Sequence, residues 1–340
     1  MAMSTSTPDP AIFNDWHPVA DARQISADKL TPAQLLGQDL VLFRAADGKL
    51  RAWEDRCPHR GTRFSIGRID QGAVVCAYHA WRFEADGQCS HIPALPDHKP
   101  PASACAKSYA VTERYGIVWV CLGAPAQDVL PFPEYSDVRL RKVLCGPFNV
   151  GTSAPRIVEN FLDMAHFPYV HTGILGDPSR TGVRDYDVDS KWDDGAGGTG
   201  VRASNCFFWQ PQSNSLATSG SEVEYTYRVV RPFTAILTKV PDGGVEGFWE
   251  AISLHVQPLG EETSRVWLIL ALTNFEQSDA ELQDFQNRIF GGDVPILENQ
   301  VPKRLPLAPG AELPMRCDRM SQAYRRYLME RKVQFGVLNA

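Results

Sequence analysis

Two short segments of the sequence each place one cysteine close to one histidine. Cys57 and His59 lie two residues apart in RCPHRG, and Cys76 and His79 lie three residues apart in VCAYHAW. Sixteen residues separate His59 from Cys76, which is enough for a hairpin that brings the segments together. Each segment would then offer one thiolate and one imidazole, and both groups are common metal ligands in proteins.

The distribution of these four residues separates two kinds of metal site. A structural zinc site with two cysteines and two histidines would lock the two loops together. Zinc fingers usually pair cysteine with cysteine and histidine with histidine within each arm, whereas here both arms are mixed. Mixed arms suit a Rieske [2Fe–2S] cluster, in which one iron takes both cysteines and the other takes both histidines.

The other residues of the two segments support the second interpretation, the Rieske cluster. CPHRG followed by C-x-x-H-x-W closely resembles the Rieske family, which implies a [2Fe–2S] cluster on Cys57, His59, Cys76 and His79. The family usually has glycine where this chain has Ala80. The additional methyl group predicts a slightly adjusted loop with the cluster retained.

A second group of polar residues interrupts the apolar segment ENFLDMAHFPYVH. His166 and His171 are five residues apart, so on one unbroken helix they would point about 140° away from each other. Pro168 cannot continue the helical hydrogen bonds, and a break there would let the second histidine turn toward the first. Asp163 lies three residues before His166, which predicts the same helical face.

Taken with the upstream cysteines, N-x-x-D-x-x-H-x-x-x-x-H resembles the terminal oxygenase subunits of Rieske non-heme iron oxygenases. The resemblance implies that His166 and His171 bind a catalytic Fe(II), completed by one carboxylate as a facial triad. Two buried core histidines with no metal would be the alternative if the segment stood alone.

The third ligand is expected in the C-terminal helical segment. FGGDVPILENQ resembles the family's D-x-x-x-L-E-x-Q stretch and nominates Asp293. Asp279, Asp284 and Glu298 are the rival carboxylates, and Asp293 could instead cap the start of an ordinary helix.

The resemblance gives Asp163 a role other than ligation. It implies a hydrogen-bonded bridge from His166 to a cluster histidine of a neighbouring subunit, with His79 the expected partner. It also implies a head-to-tail homotrimer, because the two metal centres of one chain of this family lie far apart. A structural ion pair on the helix face is the alternative role for Asp163.

These residues must be positioned by two kinds of domain. Residues 17–145 alternate short apolar runs with turns, as in DLVLFRAADGKLRAW, and predict an all-β Rieske domain after a flexible tail over 1–16. Residues 146–340 combine helical segments with SEVEYTYRVV, TAILTKV, GFWEAISLHVQP and SRVWLILALTN, which predict an antiparallel sheet. The chain is therefore expected to be α+β, and the resemblance implies a helix-grip (START-like) catalytic domain.

Composition excludes several classes of protein. A net charge of −6 argues against nucleic-acid partners, because no basic stripe exists to neutralise phosphates. Apolar runs such as VWLILAL are too short to cross a bilayer, and the polar start MAMSTSTPDP carries no export pattern. We therefore expect a cytoplasmic protein whose cysteines are free unless a metal binds them.

The resemblance is closest to single-component oxidative demethylases of the vanillate, dicamba and caffeine demethylase type. It implies a terminal oxygenase that takes electrons from a separate NAD(P)H-dependent flavin and ferredoxin-type reductase. With O₂ it would remove an O- or N-methyl group from a small aromatic or heteroaromatic substrate. Hydroxylation without demethylation, and a Rieske electron carrier with no second metal, are the alternatives.

The sheet of the second domain is expected to wall an apolar pocket above the iron. The candidate lining residues are Phe207, Phe208, Trp209, Ile236, Phe248 and Trp249.

Overall fold

The computed structural model describes residues 9–193, 198–241 and 249–339, which form two compact units divided between Val129 and Leu130. The first unit is built almost entirely from short strands. These are β1 (His17–Asp21), β2 (Thr31–Leu35), β3 (Gln38–Arg44), β4 (Leu50–Glu54), β5 (Arg68–Asp70), β6 (Ala73–Val75), β7 (Arg82–Phe83), β8 (Cys89–His91), β9 (Ser108–Arg114) and β10 (Ile117–Cys121). One helical turn, α1 (Pro10–Phe13), precedes them.

The strands of the first unit form two antiparallel sheets. Six strands are ordered β1-β10-β9-β4-β3-β2, and four are ordered β5-β6-β7-β8. The predicted hairpin in DLVLFRAADGKLRAW is confirmed, since β3 and β4 pair with Arg44 opposite Leu50. The small sheet matters most for the site, because its strands β6 and β7 flank one of the two cysteine–histidine loops.

A cluster of buried aromatic side chains connects the two sheets of the first unit. Trp53 packs edge-on against Phe43 at 4.8 Å and against Phe64 at 5.6 Å, and Phe64 packs against Phe83 at 5.0 Å. All four side chains are buried. Burial of this much aromatic surface fixes the loops that project from the sheet.

The second unit combines one large sheet with helices. Its strands are β11 (Arg141–Val150), β12 (Asp187–Asp193), β13 (Thr199–Gln210), β14 (Ser221–Arg231), β15 (Thr234–Pro241), β16 (Glu250–Gly260), β17 (Thr263–Leu272), β18 (Leu305–Pro306) and β19 (Val337–Leu338). Its helices are α2 (Pro133–Ser136), α3 (Ala154–Phe161), α4 (Phe167–Val170), α5 (Asp279–Asn299) and α6 (Arg319–Glu330).

Seven of these strands form an antiparallel sheet in the order β11-β17-β16-β15-β14-β13-β12. Helix α5 packs against β11, α3 against β16 and α6 against β13. The start of α5 is fixed by a capping box, in which the Ser278 hydroxyl accepts from the Glu281 amide and the Glu281 carboxylate accepts from the Ser278 amide. An all-β unit followed by a helix-covered antiparallel sheet confirms the predicted α+β class.

The observed division lies earlier in the chain than the predicted boundary at 145/146. That boundary falls inside β11, whose residues from Arg141 to Val150 pair along β17, so the whole strand belongs to the second sheet. The predicted tail over 1–16 also differs in its last part, because Ile12 is fully buried and the Phe13 carbonyl accepts from Gly123. Residues 1–8 lie outside the described part.

Within the described ranges, no helix combines the length and apolar character needed to span a bilayer.

Candidate metal centres

The two cysteine–histidine loops have the same backbone design. In the first, the Gly61 amide donates to the Cys57 carbonyl at 2.9 Å; in the second, the Ala80 amide donates to the Cys76 carbonyl at 3.1 Å. Each cysteine therefore begins a tight turn that closes four residues later. The turns hold the histidine of each pair on the same loop as its cysteine.

Closing these turns requires a left-handed residue at the fourth position. Gly61 has φ +76° and Ala80 has φ +53°, so the two residues are equivalent. Glycine adopts this conformation freely, whereas an L-residue pays about 1–2 kcal/mol. The departure at Ala80 therefore adds backbone strain to the loop but leaves its shape the same as that of the Gly61 loop.

The four side chains of these loops form two pairs. Cys57 and Cys76 are each 2% exposed, and Cys76 is close enough to Cys57 to influence the pKa of its thiol. The rings of His59 and His79 are half-buried, with their centroids 4.6 Å apart. Trp81 stacks on His59 at 4.3 Å and 9°, a support that sequence reasoning did not assign.

Burial and the neighbouring Cys76 raise the pKa of the Cys57 thiol to about 11, against the effect of backbone amides of His59 and Arg60 that donate to its sulfur. A metal that binds here must displace the proton, and the donated amides stabilise the resulting thiolate. Two adjoining buried sulfurs beside two adjoining imidazoles fit a cluster with one sulfur-ligated and one nitrogen-ligated iron.

The second group of candidate ligands lies in the other unit. The ligand atoms of His166, His171 and Asp293 all lie within 4.8 Å of one another. His171 Nε2 is 3.1 Å from His166 Nε2 and 3.1 Å from Asp293 Oδ1. His171 and Asp293 are buried and His166 is nearly so.

The backbone reaches this arrangement differently from the predicted kink. Helix α3 ends at Phe161, before Asp163, and Pro168 lies in the first turn of α4. Proline is well tolerated there, since the first-turn amides have no intrahelical acceptor. The predicted break at Pro168 and the shared helical face of Asp163 and His166 are therefore wrong, and the two histidines instead flank a single helical turn.

Asp293 is the carboxylate that the fold brings to the histidines. It lies well inside α5, which begins at Asp279, so the helix-cap alternative is wrong. The rivals Asp279, Asp284 and Glu298 are exposed. Asp279 pairs with Arg141, and Glu298 accepts from the Gly151 amide.

Two further side chains hold this group in place. Asp163 Oδ2 is 3.0 Å from His166 Nδ1, which leaves His166 Nε2 turned toward His171. Asp163 is itself held by the Ala165 amide at 2.8 Å. Asn160 Nδ2 donates to Asp293 Oδ1 at 3.3 Å, a role that its place in the motif indicated but that sequence reasoning did not assign.

The electrostatics of this group favour a cation. Burial lowers the pKa of His166, but hydrogen bonds from its ring to the carboxylates of Asp163 and Asp293 outweigh that effect and raise the pKa to about 9. For Asp293 the two effects have the opposite signs. Burial raises the pKa of the carboxyl group, but the hydrogen bonds with His166 and His171 outweigh burial and leave that pKa below its ordinary value. Two imidazoles and one carboxylate in mutual contact fit the facial triad of a mononuclear iron.

A cavity extends from these three residues along one face of the large sheet. Its walls are mainly apolar, including Phe161, Leu175, Ile289 and Phe290. The sheet contributes alternate residues, since Tyr225, Tyr227, Leu237, Lys239, Ile252 and Leu268 all point to this face.

The predicted pocket lining is wrong for the described residues. Phe207, Phe208, Trp209, Ile236 and Trp249 do not line this cavity, and Phe248 lies outside the described part. Ile236 has the opposite parity to Leu237 and so points to the other face of β15. Phe208 packs against Phe167, which lines the cavity, with ring centroids 5.5 Å apart.

A close backbone approach fixes the position of α4. A Cβ added at Gly176 would lie 2.5 Å from Pro168 N and 2.6 Å from the Phe167 carbonyl carbon. Gly176→Ala is therefore expected to displace α4, to loosen metal binding at His166 and His171, and to lower the free energy of unfolding by about 1–3 kcal/mol. Iron content after dialysis and a denaturant titration measure both effects.

Gly182→Ala is the matched control, because an added Cβ there meets nothing within 4 Å and φ is not in the left-handed region. Equal iron retention and stability in the two variants would contradict the argument from Gly176.

The first unit is all-β and brings two cysteines together with two histidines, and the second is a helix-covered sheet with a His–His–Asp group. This combination defines the class of Rieske non-heme iron oxygenases. Residues 15–110 match the Rieske [2Fe–2S] domain, and residues 150–332 match the vanillate O-demethylase oxygenase C-terminal domain. The chain belongs to this family of oxidoreductases, whose members use a [2Fe–2S] cluster and a mononuclear iron.

Several of the similar proteins are named as demethylases. The chain is 45% identical to a probable methylxanthine N7-demethylase of Pseudomonas sp. (strain TJI-51), over 80% of this chain and 94% of the relative. The structure of a mutant NdmA of Pseudomonas putida CBB5 with caffeine is similar, with a TM-score of 0.80 and 26% identity, covering 95% of this chain and 92% of that one. Dicamba monooxygenase bound to dicamba shares the fold, with a TM-score of 0.74 and 21% identity over 94% of this chain and 97% of that one.

Proposed function

We propose that this protein is the terminal oxygenase of a multicomponent monooxygenase that removes an O- or N-methyl group from a small aromatic or heteroaromatic molecule. The observation that carries this proposal is the His166–His171–Asp293 group at one end of a largely apolar cavity. The demethylase names of the relatives point the same way.

The ligands follow from the two groups of side chains. Cys57 and Cys76 would hold one iron of the cluster and His59 and His79 the other, while His166, His171 and Asp293 would hold the mononuclear iron. When bound, the cluster supplies electrons and the mononuclear iron activates O₂ for insertion into a C–H bond. A methyl group bound to nitrogen or oxygen becomes unstable once its carbon is hydroxylated: the bond from that carbon to nitrogen or oxygen breaks, the carbon leaves as formaldehyde, and the nitrogen or oxygen keeps a proton.

The chain's other residues prepare this chemistry. Asp163 accepts from His166 Nδ1 and so fixes the tautomer that offers Nε2 to a metal. Asn160 orients the Asp293 carboxylate by donating to Oδ1. The apolar wall formed by Phe161, Leu175 and Phe290 excludes water and holds a flat ring.

The proposal includes partners and location. A separate NAD(P)H-dependent flavin and ferredoxin-type reductase would supply the electrons, and a head-to-tail homotrimer would place a second chain's cluster beside Asp163. The Asp163 side chain is 29% exposed and His79 is half-buried, so each has an edge available to another chain. All eight cysteines are free thiols, which supports a cytoplasmic location.

Substitution of Asp163 by asparagine tests the proposed bridge. Asp163→Asn removes the charge but keeps the shape, so we expect both metals to remain bound and turnover to fall by about 100-fold. The rate at which O₂ and substrate oxidise the reduced cluster, followed by absorbance in a single turnover, separates an electron-transfer defect from a folding defect. Wild-type oxidation of the cluster would contradict the bridge.

Product analysis tests the function itself. The protein is purified anaerobically after growth on iron, and three irons with two acid-labile sulfides per chain are expected. With a compatible reductase, NADH and a panel of methoxy- and N-methyl-aromatic compounds, formaldehyde should appear in step with the demethylated product. Hydroxylated products without formaldehyde would overturn demethylation, and two irons per chain would overturn the oxygenase in favour of an electron carrier.

A further inference from the structure

A row of polar side chains crosses the otherwise apolar sheet wall of the cavity. Tyr225 of β14 lies opposite Lys239 of β15, which lies opposite Glu250 of β16. Gln210 of β13 joins the row through its Nε2, which donates to the Tyr225 hydroxyl at 2.6 Å. These four residues, the polar row, are all buried.

Lys239 is the charged member of the row that faces the cavity. It lines the cavity and is 4% exposed, whereas Glu250 does not line it among the described residues. Lys239 Nζ is 4.0 Å from Glu250 Oε2, which is an ion-pair distance but too long for a hydrogen bond. Burial lowers the pKa of Lys239 below its ordinary value, and the Glu250 charge offsets this only in part.

Burial of a charged group costs free energy unless the charge is paired, so a buried lysine in the wall of a cavity indicates a role in binding. Glu250 balances the charge from the neighbouring strand, and because the separation of 4.0 Å is too long for a hydrogen bond, the ammonium hydrogens remain available to a bound molecule. A hydrogen bond from this pair to a bound molecule would therefore be charge-assisted without leaving a net charge in the cavity.

The neighbouring hydroxyls add donors to the same wall. Tyr227 lines the cavity, is 1% exposed, and its hydroxyl has no hydrogen-bond partner within the described residues. Burial raises the pKa of Tyr227 well above its ordinary value, which keeps this hydroxyl protonated. The Tyr225 hydroxyl already accepts from Gln210, so its own proton can be donated elsewhere. The wall thus offers three hydrogen-bond donors, from Lys239, Tyr225 and Tyr227, and a molecule bound there should present hydrogen-bond acceptors to it.

We propose that Lys239, with Tyr225 and Tyr227, binds a carbonyl oxygen of a neutral heteroaromatic substrate and so determines specificity. A carboxylate would be disfavoured, because it would add an uncompensated negative charge near Glu250 in a buried site. This inference rests on the proposed function only because that function places the substrate in this cavity. Lys239 would bind and orient the substrate there.

Binding measured by calorimetry on the intact, anaerobic, iron-loaded protein tests the proposal with two probes. Caffeine is neutral and carries ring carbonyls and N-methyl groups; dicamba carries a methoxy group and an ionised carboxylate. The test variant is the double substitution Lys239→Met with Glu250→Gln, because Lys239→Met alone would leave Glu250 buried without its partner.

The double variant is expected to bind caffeine about 10- to 100-fold more weakly than the wild type. Glu250→Gln alone removes the buried negative charge that disfavours a carboxylate, so the ratio of affinities should shift toward dicamba by about 10-fold. Thr238→Val is the control, since Thr238 is the neighbouring residue of β15 with the opposite parity, and its caffeine affinity should equal that of the wild type.

Equal caffeine affinity of the wild type and the folded double variant would overturn the role of Lys239. A wild-type protein that does not bind caffeine, or that binds dicamba more tightly, would overturn the substrate class. Lys239-dependent binding without formaldehyde would refute only the proposed demethylation. Formaldehyde release with unchanged kcat/KM in the double variant would refute only the inference about Lys239.

Discussion

The His171→Ala variant is expected to keep the colour of the cluster and to lose the mononuclear iron. Its imidazole contacts both other members of the group, at 3.1 Å from His166 Nε2 and 3.1 Å from Asp293 Oδ1. Without it, one nitrogen and one carboxylate oxygen remain, which is too few ligands to retain Fe(II). Iron content should fall from three to two per chain, and formaldehyde production should fall to the level of the reductase alone.

His255→Asn is the matched control, because His255 is a fully buried histidine of strand β16 whose ring lies 3.0 Å from the Ser253 hydroxyl and which is not one of the proposed ligands. This control should retain three irons. A His171→Ala protein that retains three irons and wild-type turnover would exclude His171 as a ligand.

The Cys57→Ser variant is expected to have the opposite phenotype, with loss of the cluster and an intact second site. A serine hydroxyl does not supply the thiolate that holds an iron–sulfur cluster, and Cys57 is 2% exposed, so solvent does not replace it. The visible absorbance and the low-temperature paramagnetic resonance of the reduced cluster should both disappear. Turnover should stop, because no electrons reach the second site.

Cys89→Ser separates cluster loss from damage to the core. Cys89 is 3% exposed and belongs to the same hydrophobic core, so its substitution imposes a similar burial cost without touching the loops. Its cluster spectrum should match the wild type. Loss of the spectrum in both variants, with native circular dichroism, would show that the colour does not report ligation by Cys57.

Local patterns in the sequence were sufficient for the elements and for the types of residues in the two groups. Alternation predicted strands such as β14 and β17, and the Asp–Gly turn predicted the β3–β4 hairpin. Mixed cysteine–histidine spacing predicted two matched loops, which the paired turns at Gly61 and Ala80 now explain. These features depend on residues close together in the chain, so local sequence carries them.

Position within the fold was decided by contacts between distant segments. Asp293 could not be separated from Asp279, Asp284 and Glu298 by sequence spacing, and the packing of α5 buries it against His171 while the others stay exposed. Likewise, Pro168 could break a helix or begin one, and the early end of α3 at Phe161 selects the second.

The sequence by itself determined the two cysteine–histidine pairs and the pair His166 and His171, because each pair lies within a single loop or around one helical turn. Only the tertiary structure decided which face of the sheet borders the cavity. Successive residues of a strand point to opposite faces, so Leu237 and Lys239 line the cavity while Ile236 points to the other face. A shift of one residue would turn Lys239 of the polar row away from the cavity. The pairing of seven strands sets that parity, and no single strand encodes it.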